Sequence, residues 1–507
     1  MSKLWLAALC VLVNCLTVAP NIQAAENTPN IVLILADDLG WGDVTCNNPQ
    51  SLIATPNIDR IADEGMRFTR AHSPSAVCAP TRYGLLTGRF AWRTWMREGV
   101  LYTYCDPLIP PERMTMASML KKNGYRTGVF GKWHLGLKWT PVAGDHGDWS
   151  EGTLTRSDWR SITSRVDFTM PVEGGPLALG FDRFYGIVDN PSTTCYMEND
   201  RVVNPEIRNN RPYTPGYDRK IIDDVFVEQT IDFMEQCRNE TPDSPFFAYI
   251  PLTAAHAPLD PPDRLRGKSP DGLRGDMCLW VDESVGKIYA ALERMNILDN
   301  TLLIFTSDNG PIFNGTRQTW EKTSEHQPAG AYRGYKTDIW EGGTHIPFVA
   351  RWPGHVPQAV VSEQLFCLTD IMATLAALVD EPLHDWVAED SFNMLPAILG
   401  NTERDDLRES LITHSYFGNF AVRQGPWKLI LDTHGSGGHY SATPYWQPTV
   451  TSPFEEPGTS GVGQLYNLAN DPYEQHNLYE EQPDIVKRLA QLFVNQRKNG
   501  RSRPITE

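Results

Sequence analysis

Ile31-Val-Leu-Ile-Leu-Ala36 is an uninterrupted apolar run that stops at Asp37-Asp38. A run that is apolar at every position is typical of a parallel strand buried on both faces of its sheet. Two further runs also end in polar groups: Pro245 to Leu252 ahead of His256, and Thr301 to Thr306 ahead of Ser307-Asp-Asn-Gly310. The sequence therefore predicts several buried strands, each delivering polar side chains at its carboxyl end.

Helical patterns alternate with these runs. One begins at Thr55-Pro56, and a second is marked by apolar residues between Ile222 and Cys237. In a third, apolar residues recur every three or four positions and so share one helix face: Val281, Val285, Ile288, Leu292 and Met295. This alternation predicts an α/β fold with a large, mostly parallel sheet flanked by helices. Because ligands bind beyond the carboxyl ends of such strands, we expect the polar groups to meet at one edge.

The sequence changes in character near residue 410. Ala421 to Ile430 is typical of a strand with a turn, and Asp484 to Leu492 marks a closing helix. We therefore expect a large α/β domain over residues 26–410 and a smaller antiparallel sheet-plus-helix subdomain over residues 411–507. Residues 139–175 are rich in Gly, Asp, Ser and Trp, and we expect them to form a long surface excursion.

The first 25 residues are typical of a secretory signal peptide. Lys3 is followed by the apolar run Leu4 to Val18 and then by Ala24-Ala25, where we expect cleavage. A membrane anchor is the alternative, but the run is short for the roughly 20 residues that span a bilayer, and Asn14 interrupts it. Lipid attachment at a leader cysteine is a weaker alternative. We expect an exported protein, periplasmic or secreted, without a membrane span.

Composition excludes several classes of protein. The 507 residues are 41% hydrophobic, which is ordinary for a globular protein and excludes a disordered chain or a multi-span membrane protein. The net charge of −17 argues against a general nucleic-acid binder, although a local group of Lys and Arg could still hold a small anion. Seven of the nine cysteines follow the leader, and none forms a CxxC pair, so a zinc site is not expected. An odd number leaves at least one thiol outside any disulfide.

Asp37-Asp38 and Asp308-Asn309 offer only oxygen ligands. Burying adjacent carboxylates without a cation would cost free energy, because like charges repel and desolvation disfavours both. A hard divalent ion such as Ca²⁺, Mg²⁺ or Mn²⁺ suits an all-oxygen ligand set. A helix N-cap or a solvated turn is the alternative interpretation. Two such pairs on two strand ends favour the metal site.

Cys78, Lys132, His134, His256 and Lys336 each have an ordinary interpretation when taken alone. A cysteine before a short helix can be a nucleophile with a lowered pKa, but an isolated cysteine is more often structural. Lys132 and His134 are two residues apart, so in an extended segment they point the same way and could bind an anion and move a proton. A lone histidine after a strand is usually structural, and a lone lysine in a loop is usually solvated.

Five short stretches carry the chemistry together, in this order: Asp37-Asp38, Cys78-Ala-Pro-Thr-Arg82, Gly131-Lys-Trp-His-Leu-Gly136, Ser307-Asp-Asn-Gly310, and Lys336 ahead of Glu341-Gly-Gly343. The second matches the C-x-P-x-R core of the formylglycine-dependent (type I) sulfatases, a branch of the alkaline-phosphatase-like superfamily. The others resemble motifs of that family in the family's order. The resemblance runs from Asn30 to about Leu478 and ends in Leu465-Tyr-Asn-Leu468 and Asp471-Pro-Tyr-Glu474.

The resemblance implies that a maturation enzyme oxidises Cys78 to formylglycine, and that one hydroxyl of the hydrated aldehyde attacks the sulfate sulfur. It also implies one Ca²⁺ ion, with Mg²⁺ as an alternative, held by Asp37, Asp38, Cys78, Asp308 and Asn309. The remaining roles it implies are these: Asp308 accepts the proton of the attacking hydroxyl, Arg82, Lys132 and Lys336 neutralise the sulfuryl oxygens, His256 protonates the departing alcohol, and His134 accepts the proton of the second hydroxyl as sulfate leaves.

The substrate implied is a sulfated carbohydrate, because the chain looks like sulfatases of N-acetylgalactosamine and galactose-type sugars and lacks the apolar hairpin of a membrane-bound sulfatase. Five residues of the excursion could either contact sugar or merely anchor a loop: Trp139, Trp149, Trp159, Asp145 and His146. Two alternative functions are a phosphomonoester or phosphonate hydrolase of the same superfamily and a non-catalytic protein that binds sulfated glycans.

Overall fold

The structure is a computed structural model that describes residues 28–145, 162–190, 194–209, 211–313, 324–401, 406–432 and 463–505. The predicted signal peptide and its cleavage position lie outside the described residues. Within these residues, no helix combines the length and the apolar character that crossing a bilayer requires.

Strands of the described chain fall into one large sheet and three small ones. In chain order they are β1 (Asn30–Ala36), β2 (Met66–Phe68), β3 (Ala71–His72), β4 (Arg126–Lys132), β5 (Arg183–Ile187), β6 (Met197–Glu198), β7 (Arg201–Val202), β8 (Glu206–Arg208), β9 (Arg211–Tyr213), β10 (Phe246–Pro251), β11 (Thr301–Ser307), β12 (Phe348–Arg351), β13 (Val360–Ser362), β14 (Phe366–Cys367), β15 (Ser410–His414), β16 (Phe420–Gln424), β17 (Trp427–Ile430) and β18 (Gln464–Asn467).

Helices cover both faces of the large sheet. In chain order they are α1 (Pro56–Asp63), α2 (Cys78–Thr87), α3 (Met116–Lys122), α4 (Ile222–Glu240), α5 (Gly272–Arg294), α6 (Glu341–Thr344), α7 (Asp370–Leu378), α8 (Leu395–Ile398) and α9 (Pro483–Lys498). Side chains of β1 alternate between two cores: Val32 and Ile34 pack with α1, α4 and α5, whereas Leu33 packs with α2, α3 and α7. The predicted α/β class is confirmed, and the predicted helix face of α5 is buried.

The large sheet has ten strands in the order β13-β2-β12-β11-β1-β10-β4-β5-β6-β7. Its centre, from β11 through β1, β10 and β4 to β5, is parallel. Ala36 is paired with Ser307, so the next residues of the two strands, Asp37 and Asp308, emerge side by side. β4 ends at Lys132, two strands away from β1. The expected convergence of polar groups at one edge therefore follows from the register.

The C-terminal subdomain is the antiparallel sheet β15-β16-β17-β18 with α9 packed against it, as predicted. Its core contains Phe420 and Phe493, but also Phe90 and Trp92 from the large domain. Its first strand begins at Ser410. The division into domains at residue 410 stays a prediction, because the two parts share one continuous set of packed side chains.

The described ends of the 139–175 excursion pack on the main core and are not a loose loop. Trp139 is 6% exposed, contacts Tyr104 and Phe168, and donates its indole N–H to the Thr103 carbonyl oxygen at 2.8 Å. Asp145 forms an ion pair with Arg165. The suggestion that Trp139 stacks on a sugar is therefore wrong, because its ring anchors the loop. Trp149, Trp159 and His146 lie outside the described residues.

We expect the buried pair Arg408–Asp370 to hold the segment that leads into β15 against helix α7. Arg408 NH2 lies 2.5 Å from Asp370 Oδ1, and both side chains are fully buried. Arg408→Met would leave a buried carboxylate unpaired and should lower the free energy of unfolding by about 3–5 kcal/mol, measured from urea midpoints. The control Arg70→Met removes a pair with Asp406 that is about a quarter exposed and should cost less than about 1 kcal/mol. Equal losses in the two variants would contradict the prediction.

Candidate active site

Three carboxylates and one amide meet beyond the carboxyl ends of β1 and β11. Asp37, Asp38, Asp308 and Asn309 each have 0% exposure. The Asn309 amide donates to Asp38 Oδ1 at 2.8 Å, and the Asp38 backbone N–H donates to Asp308 Oδ1 at 3.2 Å. Asp38 itself has a left-handed backbone (φ 63°), so the chain turns directly after the strand. The predicted set is therefore one continuous polar cluster.

Three buried cations surround these carboxylates. Arg82, from α2, donates to Asp308 Oδ2 through Nε at 3.1 Å and NH2 at 2.7 Å. Lys132 Nζ lies 2.5 Å from Asp37 Oδ2, and Lys336 Nζ lies 2.7 Å from Asp38 Oδ1. The positive charges balance the negative ones, so the cluster can be buried without a net charge.

The two neighbouring carboxylates Asp37 and Asp308 have opposite pKa shifts. Burial disfavours the charged form of Asp37, but Lys132, His256 and Arg82 together hold its pKa well below the ordinary range. Burial and the charge of Asp37 raise the pKa of Asp308. Asp308 is therefore the member of the pair that more readily carries a proton.

The donor set fits a hard metal ion. Asp37 Oδ1 and Asn309 Oδ1 are buried and have no hydrogen-bond partner among the residues that the structure describes, although a buried carboxylate or amide oxygen normally has one. Side chains of Asp37, Cys78 and Asp308 also come close enough together to share one ion, as do those of Asp37, Asp38 and His256. Oxygen ligands predominate, as Ca²⁺ and Mg²⁺ require.

Cys78 is the first residue of α2 and is 2% exposed. Burial raises the pKa of its thiol in spite of Lys132 and Lys336. The interpretation of Cys78 as a thiolate with a lowered pKa is therefore wrong, because desolvation outweighs the neighbouring cations. None of the seven cysteines in the described residues forms a disulfide, so the six that remain beside Cys78 are not paired.

His134 departs from the predicted geometry. The extended segment ends at Lys132, and His134 has a left-handed backbone (φ 58°), so the alternation that placed both on one face does not hold. Its Nε2 lies 2.8 Å from the Leu101 carbonyl oxygen, which can only accept, so Nε2 carries the hydrogen. Its Nδ1 is buried without a hydrogen-bond partner among the described residues. Burial, Lys132 and Arg82 lower the pKa of His134, which leaves a neutral imidazole with an available lone pair.

His256 lies at the outer side of the same cluster. Its Nε2 is 3.8 Å from Asp38 Oδ2, and its Nδ1 is 2.5 Å from the Ala257 carbonyl oxygen, so Nδ1 carries a hydrogen. Burial, together with Lys336, lowers its pKa to about 4. The structure thus brings together all the predicted site residues except His134, whose link to the cluster is its electrostatic coupling to Lys132, Arg82 and Asp37.

Sequence reasoning missed two residues that hold this site. Asn190 Oδ1 accepts from Lys132 Nζ at 2.9 Å, and Asp223 binds the turn that carries His256. Asn190 gives no signal in a single sequence. Asp223 resembles any acidic residue in the first turn of a helix, where carboxylates are common.

Close backbone approach explains two of the glycine-containing motifs. The Gly310 N–H donates to the Gly343 carbonyl oxygen at 2.9 Å, and a Cβ added at Gly310 would lie 1.9 Å from the Gly342 carbonyl oxygen. Only glycine fits at this contact. The segment after β11 is therefore held against the loop that follows Lys336.

The carboxyl edge of the parallel strands thus buries three cations beside potential metal ligands, at the place where α/β proteins bind their ligands. The family model described as Sulfatase matches residues 29–381. The chain is 34% identical over 498 residues to the N-acetylgalactosamine-6-O-sulfatase of Bacteroides thetaiotaomicron, a match that covers 92% of each chain. It is 32% identical over 500 residues to human arylsulfatase A, covering 92% of this chain and 88% of the relative.

A solved structure from Bacteroides thetaiotaomicron, described as a 6S-sulfatase in the metabolism of multiple glycosaminoglycans, matches with a TM-score of 0.76. The two are 31% identical, and the match covers 93% of this chain and 99% of the other. The chain belongs to the sulfatase family and is a sulfuric ester hydrolase. Members of this family generally use a metal ion and a formylglycine.

We expect Asn190 to matter for activity because it helps to fix the Lys132 ammonium. Asn190→Ala would remove one of two acceptors and let the ammonium move, so kcat/KM should fall about tenfold, the effect of about 1.4 kcal/mol. Steady-state kinetics on an aryl sulfate measures this. Gln229→Ala, which removes an acceptor of Arg183 away from the site, should leave kcat/KM unchanged. An unaltered kcat/KM in the Asn190 variant would contradict the expectation.

Proposed function

We propose that this protein hydrolyses the sulfate ester of a sulfated sugar, and that 6-O-sulfated N-acetylgalactosamine is its preferred unit. The observation that carries the reaction is the buried position of Cys78 close to the carboxylates of Asp37 and Asp308, which pair with Lys132 and Arg82. The sugar is supported by two relatives: one is named N-acetylgalactosamine-6-O-sulfatase, and the other was described in glycosaminoglycan metabolism.

Residue 78 is proposed as the nucleophile after oxidation of the cysteine to formylglycine, whose hydrate supplies a hydroxyl for attack and a second hydroxyl for release of sulfate. The raised pKa of the Cys78 thiol supports this, because a neutral buried thiol is a poor nucleophile. Asp308 is proposed as the group that accepts the proton of the attacking hydroxyl. Its carboxylate lies within 4.8 Å of the Cys78 sulfur, which supports a role in receiving a proton from residue 78.

Metal binding is assigned to Asp37, Asp38, Asp308 and Asn309, with residue 78 as a further ligand. A bound Ca²⁺ would supply Lewis-acid stabilisation of the sulfuryl group. The unpartnered oxygens of Asp37 and Asn309 support this assignment. A sulfate monoester is anionic, and Arg82, Lys132 and Lys336 can donate hydrogen bonds to its sulfuryl oxygens.

Two histidines are proposed to transfer protons in different steps of the reaction. His256 would act as an imidazolium: Nδ1 keeps its hydrogen on the Ala257 carbonyl oxygen, and binding of the anionic ester favours a second proton on Nε2. Nε2 would donate that proton to the ester oxygen as the S–O bond breaks and its electron pair passes to that oxygen. His134 Nδ1 would accept a proton when sulfate is released. The hydrogen bond from His134 Nε2 to Leu101 supports this, because it leaves Nδ1 as the basic nitrogen.

Export is also part of the proposal. Residues 1–25 are proposed as a signal peptide cleaved near Ala24-Ala25, which would place the enzyme in the periplasm or outside the cell. A maturation enzyme in the producing cell would have to act on Cys78. Sulfated carbohydrates of the cell exterior would be the substrates.

Release of inorganic sulfate tests the reaction and the sugar together. Protein made with a maturation enzyme should release sulfate from N-acetylgalactosamine 6-sulfate faster than from the 4-sulfate. Cys78→Ala should lower the rate by about 10⁴-fold or more, because it removes the nucleophile. The matched variant Cys367→Ala changes another fully buried cysteine and should stay active.

Peptide mass analysis of the same preparation should show that residue 78 has lost one sulfur atom and two hydrogen atoms and has gained one oxygen atom. An unmodified thiol in active protein would overturn the proposed nucleophile. Faster turnover of an aryl phosphate than of the matching aryl sulfate would favour the phosphohydrolase alternative.

Metal removal should lower both activity and thermal stability. After chelation, Ca²⁺ at about 100 times its dissociation constant should restore about 2.7 kcal/mol of stability, measured as a shift in the thermal midpoint. Asp38→Asn should lose most of that shift. Recovery by Zn²⁺ and not by Ca²⁺ or Mg²⁺ would contradict the oxygen-ligand assignment.

A further inference from the structure

A buried carboxylate in the first turn of α4 binds the turn that carries His256. Asp223 has 0% exposure. Its Oδ1 accepts from the Thr253 backbone N–H at 2.9 Å and from the Thr253 hydroxyl at 3.0 Å, and its Oδ2 accepts from the Ala254 N–H at 2.9 Å. Both carboxylate oxygens are therefore engaged by the same two residues.

The turn held by Asp223 connects directly to the site. The Asp37 N–H donates to the Ala254 carbonyl oxygen at 3.0 Å, and the Ala255 N–H donates to the Asp37 carbonyl oxygen at 2.6 Å. The His256 N–H donates to the Thr253 carbonyl oxygen at 3.0 Å, which closes the turn. A displacement of Thr253 and Ala254 would therefore be passed to the imidazole of His256, whereas the Asp37 carboxylate is held separately by Lys132 and Arg82.

We infer that Asp223 is a positioning residue of the reaction, which acts by holding the turn of residues 253–256 so that His256 Nε2 faces the ester oxygen that leaves. This inference rests on the proposed role of His256 as the proton donor. Misplacement of a proton donor by about 1 Å can cost about 10²-fold in rate. The loss should appear only where the leaving oxygen needs a proton.

The variant Asp223→Asn tests this with little change in volume. Whichever way the amide turns, its NH2 group faces a backbone N–H of Thr253 or Ala254, so the turn must shift. Asp282→Asn is a matched control. Asp282 is also buried, its carboxylate accepts the backbone N–H groups of Asn57 and Ile58, and burial raises the pKa of each aspartate to about 6. Its hydrogen-bond partners are not candidate site residues.

The readout is the ratio of rates on two substrates. A sugar 6-sulfate has a poor leaving group that needs protonation, whereas 4-nitrophenyl sulfate has a good one that does not. In Asp223→Asn, kcat on the sugar sulfate should fall about 10²-fold with KM little changed, while kcat on the aryl sulfate should fall less than about fivefold. Thr253→Val, which removes only the hydroxyl donor, should shift the ratio in the same direction by a smaller factor and keeps the test usable if the first variant does not fold.

The variant His256→Ala tests the proton-donor role of His256 separately from the positioning role of Asp223. This variant should show the same selective loss, and the double variant Asp223→Asn/His256→Ala should be no slower than His256→Ala alone. Asp282→Asn should leave the ratio unchanged. If His256→Ala is selective, two results would overturn the role of Asp223. One is an equal loss of rate on both substrates in Asp223→Asn, and the other is an additive loss in the double variant. Equal losses in His256→Ala would overturn the proton-donor role itself and this inference with it.

Discussion

The pairing of Ala36 with Ser307 is the constraint on which the rest of the structure depends. It places Asp37, Asp38 and Asp308 together at the centre of the sheet, where water does not reach them. Buried carboxylates at this separation repel one another, so the arrangement is stable only with cations in contact. Other motifs of the chain supply those cations or hold them in place.

The carboxylates and the proposed substrate both require hydrogen bonds from the same three cations. In the described structure Arg82, Lys132 and Lys336 are bound to Asp308, Asp37 and Asp38, whereas the proposed substrate needs their hydrogens for sulfuryl oxygens. A divalent ion would resolve the competition, because it would satisfy the carboxylates and give the site the net positive charge that an anionic ester requires. Metal binding and substrate binding are therefore expected to support each other, and the acidic total charge of the protein does not oppose either.

Much of the site could be predicted from the sequence, because apolar strands ending in Asp37-Asp38 and Asp308-Asn309 determine where oxygen ligands emerge. The turn at His134 could not, since a positive φ at a histidine depends on tertiary contacts with Val188 and Leu101. The burial of Trp139 could not be predicted from the sequence either, because a tryptophan in an irregular segment suits either a core or a sugar-binding surface. Asn190 could not be predicted as a site residue because its partner Lys132 is 58 residues away in the sequence.

The C-terminal subdomain supports the site through Glu341, the first residue of α6, the short helix that follows the Lys336 loop. The Glu341 carboxylate is bound by Lys428 of β17 at 2.9 Å and by Arg423 of β16 at 3.3 Å, while its N–H donates to Glu474 at 2.6 Å. Lys428 also pairs with Glu474 at 2.8 Å, so one ammonium holds two carboxylates from distant parts of the chain. Because the pairs are buried, they are strong enough to fix the loop only while all partners are present. The last motif that resembles the family, Asp471-Pro-Tyr-Glu474, therefore completes the buried ion-pair cluster that anchors α6, the short helix after Lys336.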